Sequence, residues 1–267
     1  MIRVGTSGYS YKDWVGHFYP QGTSQKNFLE HYSKHFDTCE LNFTYYRIPN
    51  ARTLSSMVSK SGGRVEFVLK ANQEMTHTRK AGEEDYRAFR EALMPLIDAG
   101  TFGGILAQFP YSFRSSPENG DYLKRLRDRF EGLPIVAEFR NRAWIRDETF
   151  ALLREQGIGF CCVDEPRLKG LMPSVAEVTS ELGYVRFHGR NAAKWWNHER
   201  AEQRYDYLYT ERELREWLPK IKQIDSRAQK TFVFMNNHFE SKAVKNAMML
   251  LDLLEQRGAD SSEEADH

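Results

Sequence analysis

One alternation, sustained from end to end, constrains this chain more than any other feature. Short apolar or β-branched runs occur at 2–6 (IRVGT), 38–42 (TCELN), 65–70 (VEFVLK), 103–108 (GGILAQ), 134–139 (PIVAEF), 158–163 (IGFCCV), 184–188 (YVRFH) and 231–236 (TFVFMN). Each reads as a buried strand. Amphipathic stretches of helical length separate most of them, at 24–36, 51–60, 83–98, 118–129, 146–156, 211–225 and 240–255. Ser24, Asn50 and Thr210 supply helix-start side chains, and Gly100, Gly157 and Gly258 stand just past expected helix ends, where a left-handed cap favours glycine. Successive strand starts lie 24 to 47 residues apart, and the shorter intervals approach the minimum for a βα unit.

Eight such units in 267 residues fit an α/β chain folded as a single (β/α)8 TIM barrel. A doubly wound open sheet would carry G-x-G-x-x-G after its first strand, whereas this chain reads GTSGYS there. No linker, composition break or internal repeat divides it, so one domain is expected over 1–258, followed by an acidic flexible tail over 259–267. Pro166, Gly170 and Pro173 leave the sixth helix short or irregular, and a long loop, 189–210, follows the seventh strand.

Lys plus Arg total 38 and Asp plus Glu 37, a formal charge of +1. That balance excludes a protein that coats nucleic acid or membrane by bulk charge, though not a local basic site. No apolar run approaches the ~18 residues of a membrane span, and the N-terminus MIRVGTSGYS has no apolar signal region. Cys39, Cys161 and Cys162 are odd in number and lack metal-type spacing. Reduced, buried thiols and a cytoplasmic location are the expectation.

Strand side chains alternate between faces, so parity groups residues that share a face. The outer face packs on helices and should be apolar, which assigns the polar set to the interior. The expected inner layer at the strand ends is Thr6, Glu40, Lys70, Gln108, Glu138, Asp164, Arg186, His188 and Asn236. Buried charges of this kind need partners or a solvent-filled pocket. A polar plug closing the barrel is one reading, and a ligand pocket at the C-terminal ends of the strands is the other. Polar ends on every strand favour the pocket.

The loops beyond the strands add Tyr46 and Arg47, His77, Arg140, Arg142 and Trp144, then Arg190, Lys194, Trp195 and Trp196, then Asn237 and His238. In this fold the loops after strands seven and eight, with a helix N-terminus, commonly hold phosphate. Arg190, Lys194, Asn236 and Asn237 lie there. The expected function is an enzyme of hydrolase or lyase type acting by general acid/base catalysis on an anionic, phosphate-bearing substrate, a small molecule or a nucleic-acid end. Glu40, Glu138, His77, His188 and Asp164 are the candidate catalytic residues. Asn42, Tyr46, Lys70, Gln108, Arg140, Trp144, Arg186, Arg190, Asn236 and Asn237 are the candidate substrate contacts.

No cofactor and no metal ligand are assigned. One alternative is metal-assisted phosphodiester hydrolysis by the same carboxylates and histidines around a divalent ion. Another is a non-catalytic nucleic-acid or protein binding module centred on 190–209, where Trp195, Trp196, Tyr205, Tyr207 and Tyr209 alternate with bases. The plainer reading of that segment is a lid over the barrel mouth.

The segments GTSGYSYKDWVGHFYP, HFDTCELNFTYYRIPN, FVLKANQEMTH, QFPYSF, EFRNRAW, YVRFHGRN and FVFMNNHF together resemble the YecE-like family, a domain-of-unknown-function family, over nearly the whole chain. The resemblance implies a TIM barrel and supplies no reaction. Carried over by position, it points to Trp14, Glu40, Asn42, Tyr46, Lys70, His77, Gln108, Glu138, Arg140, Trp144, His188 and Asn236. Phe43 departs from a small hydroxyl residue common in the family, and Glu240 and Ser241 depart from small residues such as glycine.

Overall fold

The computed structural model describes residues 1–263. Eight parallel strands pair in sequence order and close on themselves: β1 (Ile2–Ser7), β2 (Thr38–Leu41), β3 (Glu66–Lys70), β4 (Phe102–Gln108), β5 (Ile135–Glu138), β6 (Ile158–Asp164), β7 (Leu182–Phe187) and β8 (Lys230–Met235). The chain is therefore a (β/α)8 barrel, and every expected strand is present within two residues of its expected start.

The helices follow the amphipathic stretches with three departures. The 24–36 stretch gives only a 3-10 turn at Gln25–Asn27 and the short helix Phe28–Tyr32, and the Ser24 side chain makes no capping bond. The 211–225 stretch splits into Glu211–Arg215 and Leu218–Asp225. Pro219 sits in the first turn of the second piece, where its missing N–H leaves no bond unmade. Lys242–Glu263 runs through Gly258, so that glycine is not a helix end and the helix takes in the start of the expected tail. Residues 264–267 lie outside the described residues. Elsewhere the local chemistry holds. Asn50 accepts from Arg52 N, Thr210 and Glu213 form a reciprocal capping box, and Gly100 and Gly157 are left-handed just past their helices. Residues 165–181, between β6 and β7, contain no helix, as their prolines imply.

The barrel interior is closed below the mouth by Val68, Leu106, Val136, Phe232 and Phe234, all buried. Gly5 on β1 lets the neighbouring strand approach, because a Cβ there would lie 2.3 Å from Thr38 O. At the opposite end Arg3 and Lys230 both pair with Glu66, at 3.1 and 2.6 Å. That cluster seals the floor and leaves the strand C-termini as the open end.

Parity places most of the expected layer correctly and fails on two strands. On β1 the inward residue is Ser7, in register with Glu40. Thr6 faces the helices, where its hydroxyl bonds Tyr32 Oη at 3.0 Å and Gly8 O at 2.7 Å. On β6, Val163 is in register with the inward Arg186, and Asp164 with Phe187, which packs on Tyr209 and Trp217. Asp164 thus lies beneath the helical shell. A polar side chain is stable there when its partners are built into the shell, and apolarity of the outer face is not absolute.

Candidate functional site

The centre of the mouth is one guanidinium shared by two carboxylates. Arg186, from β7, donates from Nη2 to Glu40 Oε1 at 2.6 Å and from Nη1 to Glu138 Oε2 at 2.5 Å. Tyr184, two residues earlier on the same face, donates to Glu40 Oε2 at 2.7 Å. Arg140 Nε lies 2.7 Å from Glu138 Oε1, and His188 Nε2 3.1 Å from the same oxygen. All four carboxylate oxygens are engaged, and both glutamates are fully buried. Burial alone would raise the pKa of Glu138, but Arg140, Arg186 and His188 outweigh it and hold the group well below the usual carboxylate range.

His188 is locked as a neutral ring. Asn236 Nδ2 donates to its Nδ1 at 3.0 Å, so Nε2 carries the proton given to Glu138. Burial and the charge of Arg140 push its pKa down to about 3. Both nitrogens are occupied, so His188 positions Glu138 and Asn236 and has no free lone pair to offer a ligand.

Above this network opens a cleft of about 650 Å³. Asn42, Tyr46, Lys70, Gln108, Arg140, Arg186 and Asn236 line it, all expected contacts. The sequence reading missed Tyr9, Ser10 and Tyr11 from the loop after β1, Tyr45, and Arg204 from the long loop, which complete the wall. Four cations, Lys70, Arg140, Arg186 and Arg204, face the cleft, and no aspartate or glutamate is among its lining residues. Glu40 and Glu138 stand directly behind the wall.

Lys70, at the end of β3, has no carboxylate within 4.0 Å among the described residues, and its Nζ sits 4.5 Å from the centre of the Tyr45 ring. Burial and the Arg186 charge, only partly offset by Glu138 and Glu40, push its pKa down to about 7. His77 lies in an adjoining recess of about 190 Å³ that shares Gln108, Arg140, Arg204 and Tyr205 with the cleft. Burial, then Lys70 and Arg140, lower its pKa to about 4, so it too is neutral at pH 7. A carboxylate the sequence reading passed over, Glu165, accepts from Met172 N at 2.8 Å and lies 3.3 Å from Arg140 Nη1. Burial pushes its pKa up to about 7 against the pull of Arg140.

Four expected site residues lie elsewhere. Asp164 takes both donors of Arg190 at 2.8 Å, Tyr209 Oη at 2.7 Å and Trp217 Nε1 at 2.7 Å, all outside the barrel. Arg190 is spent on that carboxylate and on Glu213 and Glu216. Asn237 is fully buried and donates to Tyr207 O and Asn246 Oδ1, both at 2.8 Å. Trp144 stacks on Phe139 at 4.4 Å and donates to Phe113 O. None of the four lines the cleft, and neither does the exposed Lys194. The basic side chains of the cleft come from the ends of β3, β5 and β7 and from Arg204 farther along the loop after β7, not from Arg190 or Lys194.

The segment 190–209 folds over the mouth rather than standing open. Trp195 and Tyr209 are buried, and Arg204 and Tyr205 reach into the cleft. Gly189 starts it with φ +89°, and a Cβ there would lie 2.7 Å from Tyr207 Cβ. The left-handed turn and the close approach both require glycine. Among the described residues no three His, Cys, Asp or Glu side chains converge in an arrangement that could hold a metal ion. The oxygens of Glu40 and Glu138 are engaged by Arg186, Arg140, Tyr184 and His188.

Residues 3–266 match the family model described as "Protein of unknown function DUF72". The chain is 31% identical over 271 residues to the UPF0759 protein YunF of Bacillus subtilis (strain 168), covering 96% of this chain and 95% of that one. A crystal structure of a DUF72 family protein from Thermotoga maritima MSB8 superimposes with a TM-score of 0.88 at 39% identity, over 96% of this chain and 99% of that one. A DUF72 family protein from Enterococcus faecalis V583 gives 0.85 at 27%, over 96% of each chain. These matches fall in one family of unknown function, described as DUF72; the name YecE-like rests on the sequence resemblance alone.

Proposed function

The chain belongs to the DUF72 family, and on that premise we propose that it is an enzyme whose cleft binds an anionic, phosphate- or carboxylate-bearing substrate. The observation that carries this reading is the make-up of the wall, which has three arginines and Lys70 and no carboxylate. Arg140 and Arg186 are held from behind by Glu138 and Glu40, so their orientation is fixed before a ligand arrives. A guanidinium aimed in advance binds an oxyanion without the entropy loss of ordering a free side chain. Arg204 sits on the loop over the mouth, its Nε tied to Trp195 O at 3.0 Å.

The acid and base roles shift from those expected. Every oxygen of Glu40 and Glu138 already accepts a bond, and both nitrogens of His188 are bonded, so we assign all three to shaping the field of the site. Lys70 lines the cleft, titrates near neutrality, and is suited to exchange a proton with bound substrate. His77, neutral in the adjoining recess, is a second acceptor within the same mouth.

Calorimetric titration with inorganic phosphate tests the binding reading. Saturable binding that falls at least tenfold in Arg204→Ala and is unchanged in Lys194→Ala is expected. Equal losses in both variants, or no binding at low ionic strength, would refute it.

A further inference from the structure

Resting on the anion-binding reading and going beyond it, we propose that Lys70 Nζ is a nucleophile that condenses with the carbonyl carbon of an anionic aldehyde or ketone to form an imine. The geometry has four parts. The amine opens on the cleft from the end of β3. Its backbone is pinned, because Ala71 N donates to Leu106 O at 2.9 Å and Thr44 Oγ1 donates to Lys70 O at 2.5 Å. No carboxylate pairs with it, while every carboxylate oxygen behind the wall is already bonded. Cations flank it, and the Tyr45 ring covers one side.

An amine that served only as a fixed positive charge would gain from a carboxylate neighbour that kept it protonated. Here the surroundings do the reverse, and a substantial neutral fraction at pH 7 is the condition for attack on a carbonyl. The same wall holds Asn42, whose Oδ1 has no hydrogen-bond partner among the described residues.

The step balances without another reagent. The nitrogen lone pair forms the C–N bond while the carbonyl π pair moves to oxygen. One amine proton passes to that oxygen to give the carbinolamine. The second amine proton leaves with the hydroxyl group as water, and the C=N bond forms. Arg140, Arg186 and Arg204 hold the anionic end of the molecule meanwhile. The substrate class is an aldehyde or ketone carrying a phosphate or carboxylate, small enough for a cleft of about 650 Å³.

The test uses the full chain, glycolaldehyde phosphate as probe and sodium cyanoborohydride as trap, with peptide mapping of the adducts. Alkylation of Lys70 at least tenfold faster than any other lysine is expected. It should saturate with probe, slow on added inorganic phosphate, and fall for uncharged glycolaldehyde. Lys70→Arg and Lys70→Met should both lose the adduct while keeping the wild-type circular dichroism. Labelling of Lys70 no faster than that of surface lysines overturns the proposal. If phosphate binds by calorimetry but Lys70 is not preferentially trapped, the imine fails and the anion site stands. If Lys70 is trapped but phosphate neither binds nor protects, the anion site fails, and the inference in its stated form fails with it.

Discussion

Replacing Lys70 by methionine, an unbranched side chain of similar length, is expected to stabilise the protein by an amount that shrinks as pH rises. The free amine has a pKa near 10.5, and in the folded cleft it is lowered to about 7. At ~1.4 kcal/mol per tenfold change, holding the proton in the folded state costs about 4–5 kcal/mol at acid pH. Lys70 keeps partial contact with solvent in the cleft, which relaxes part of that cost, so about 2–4 kcal/mol is the expected gain at pH 6. The folded state sheds this proton near pH 7 and the unfolded state near 10.5. Between those values the unfolded chain binds more protons, so wild-type stability from this group climbs with pH. The advantage of Lys70→Met is therefore fully present below pH 7, and the two proteins converge near pH 10.5. Urea unfolding of both proteins at pH 6, 8 and 10 measures it, since other titrating groups cancel in the difference. A variant no more stable at pH 6, or a difference independent of pH, would show that the ammonium is compensated where it sits. The neutral amine would then be lost as a premise for both the proton exchange and the imine.

Asp164→Asn should cost about 3 kcal/mol in chemical denaturation, because it leaves Arg190 without its two-point partner. Phosphate affinity should not change, and a parallel loss of binding would restore Asp164 to the site. Glu240 is left-handed with φ +48° just before the last helix, and its side chain is exposed. Glu240→Gly should raise thermal stability by roughly 1 kcal/mol, and destabilisation would show that the turn is not strained. Glu165 has its pKa raised to about 7 from the ordinary 4.5. The folded state thus binds the extra proton between these values, and wild-type stability from this group falls as pH rises through them. Glu165→Gln should be the more stable protein above pH 7 and equal to wild type below about 4.5; the opposite trend in paired urea melts would refute the assignment.

The barrel was legible because period-two runs and amphipathic stretches alternate eight times, and short βα units in series have few ways to pack. The cores of the helices were legible too, because caps such as Asn50 and Thr210 act within one turn. Much of the mouth followed from alternation alone. Glu40, Lys70, Glu138, Arg186, His188 and Asn236 sit at the strand ends on the faces that parity assigns.

Tertiary structure decided which polar residues belong to the site. Ser7 and Thr6, or Val163 and Asp164, differ by one position, and polarity favoured the wrong member of each pair. Asp164 turns outward because Tyr209, Trp217 and Arg190, 26 to 53 residues away, build it a complete set of donors. No local pattern announces partners at that distance. The same holds for charge state. That Glu40 and Glu138 are bonded at every oxygen, that His188 is a locked neutral ring and that Lys70 is left without a carboxylate depend on which side chains meet across a closed cylinder. Sequence fixes the kinds of groups available to the mouth. Their pairing, and hence which of them remains free to react, is set by through-space distances that arise only when the first strand meets the eighth.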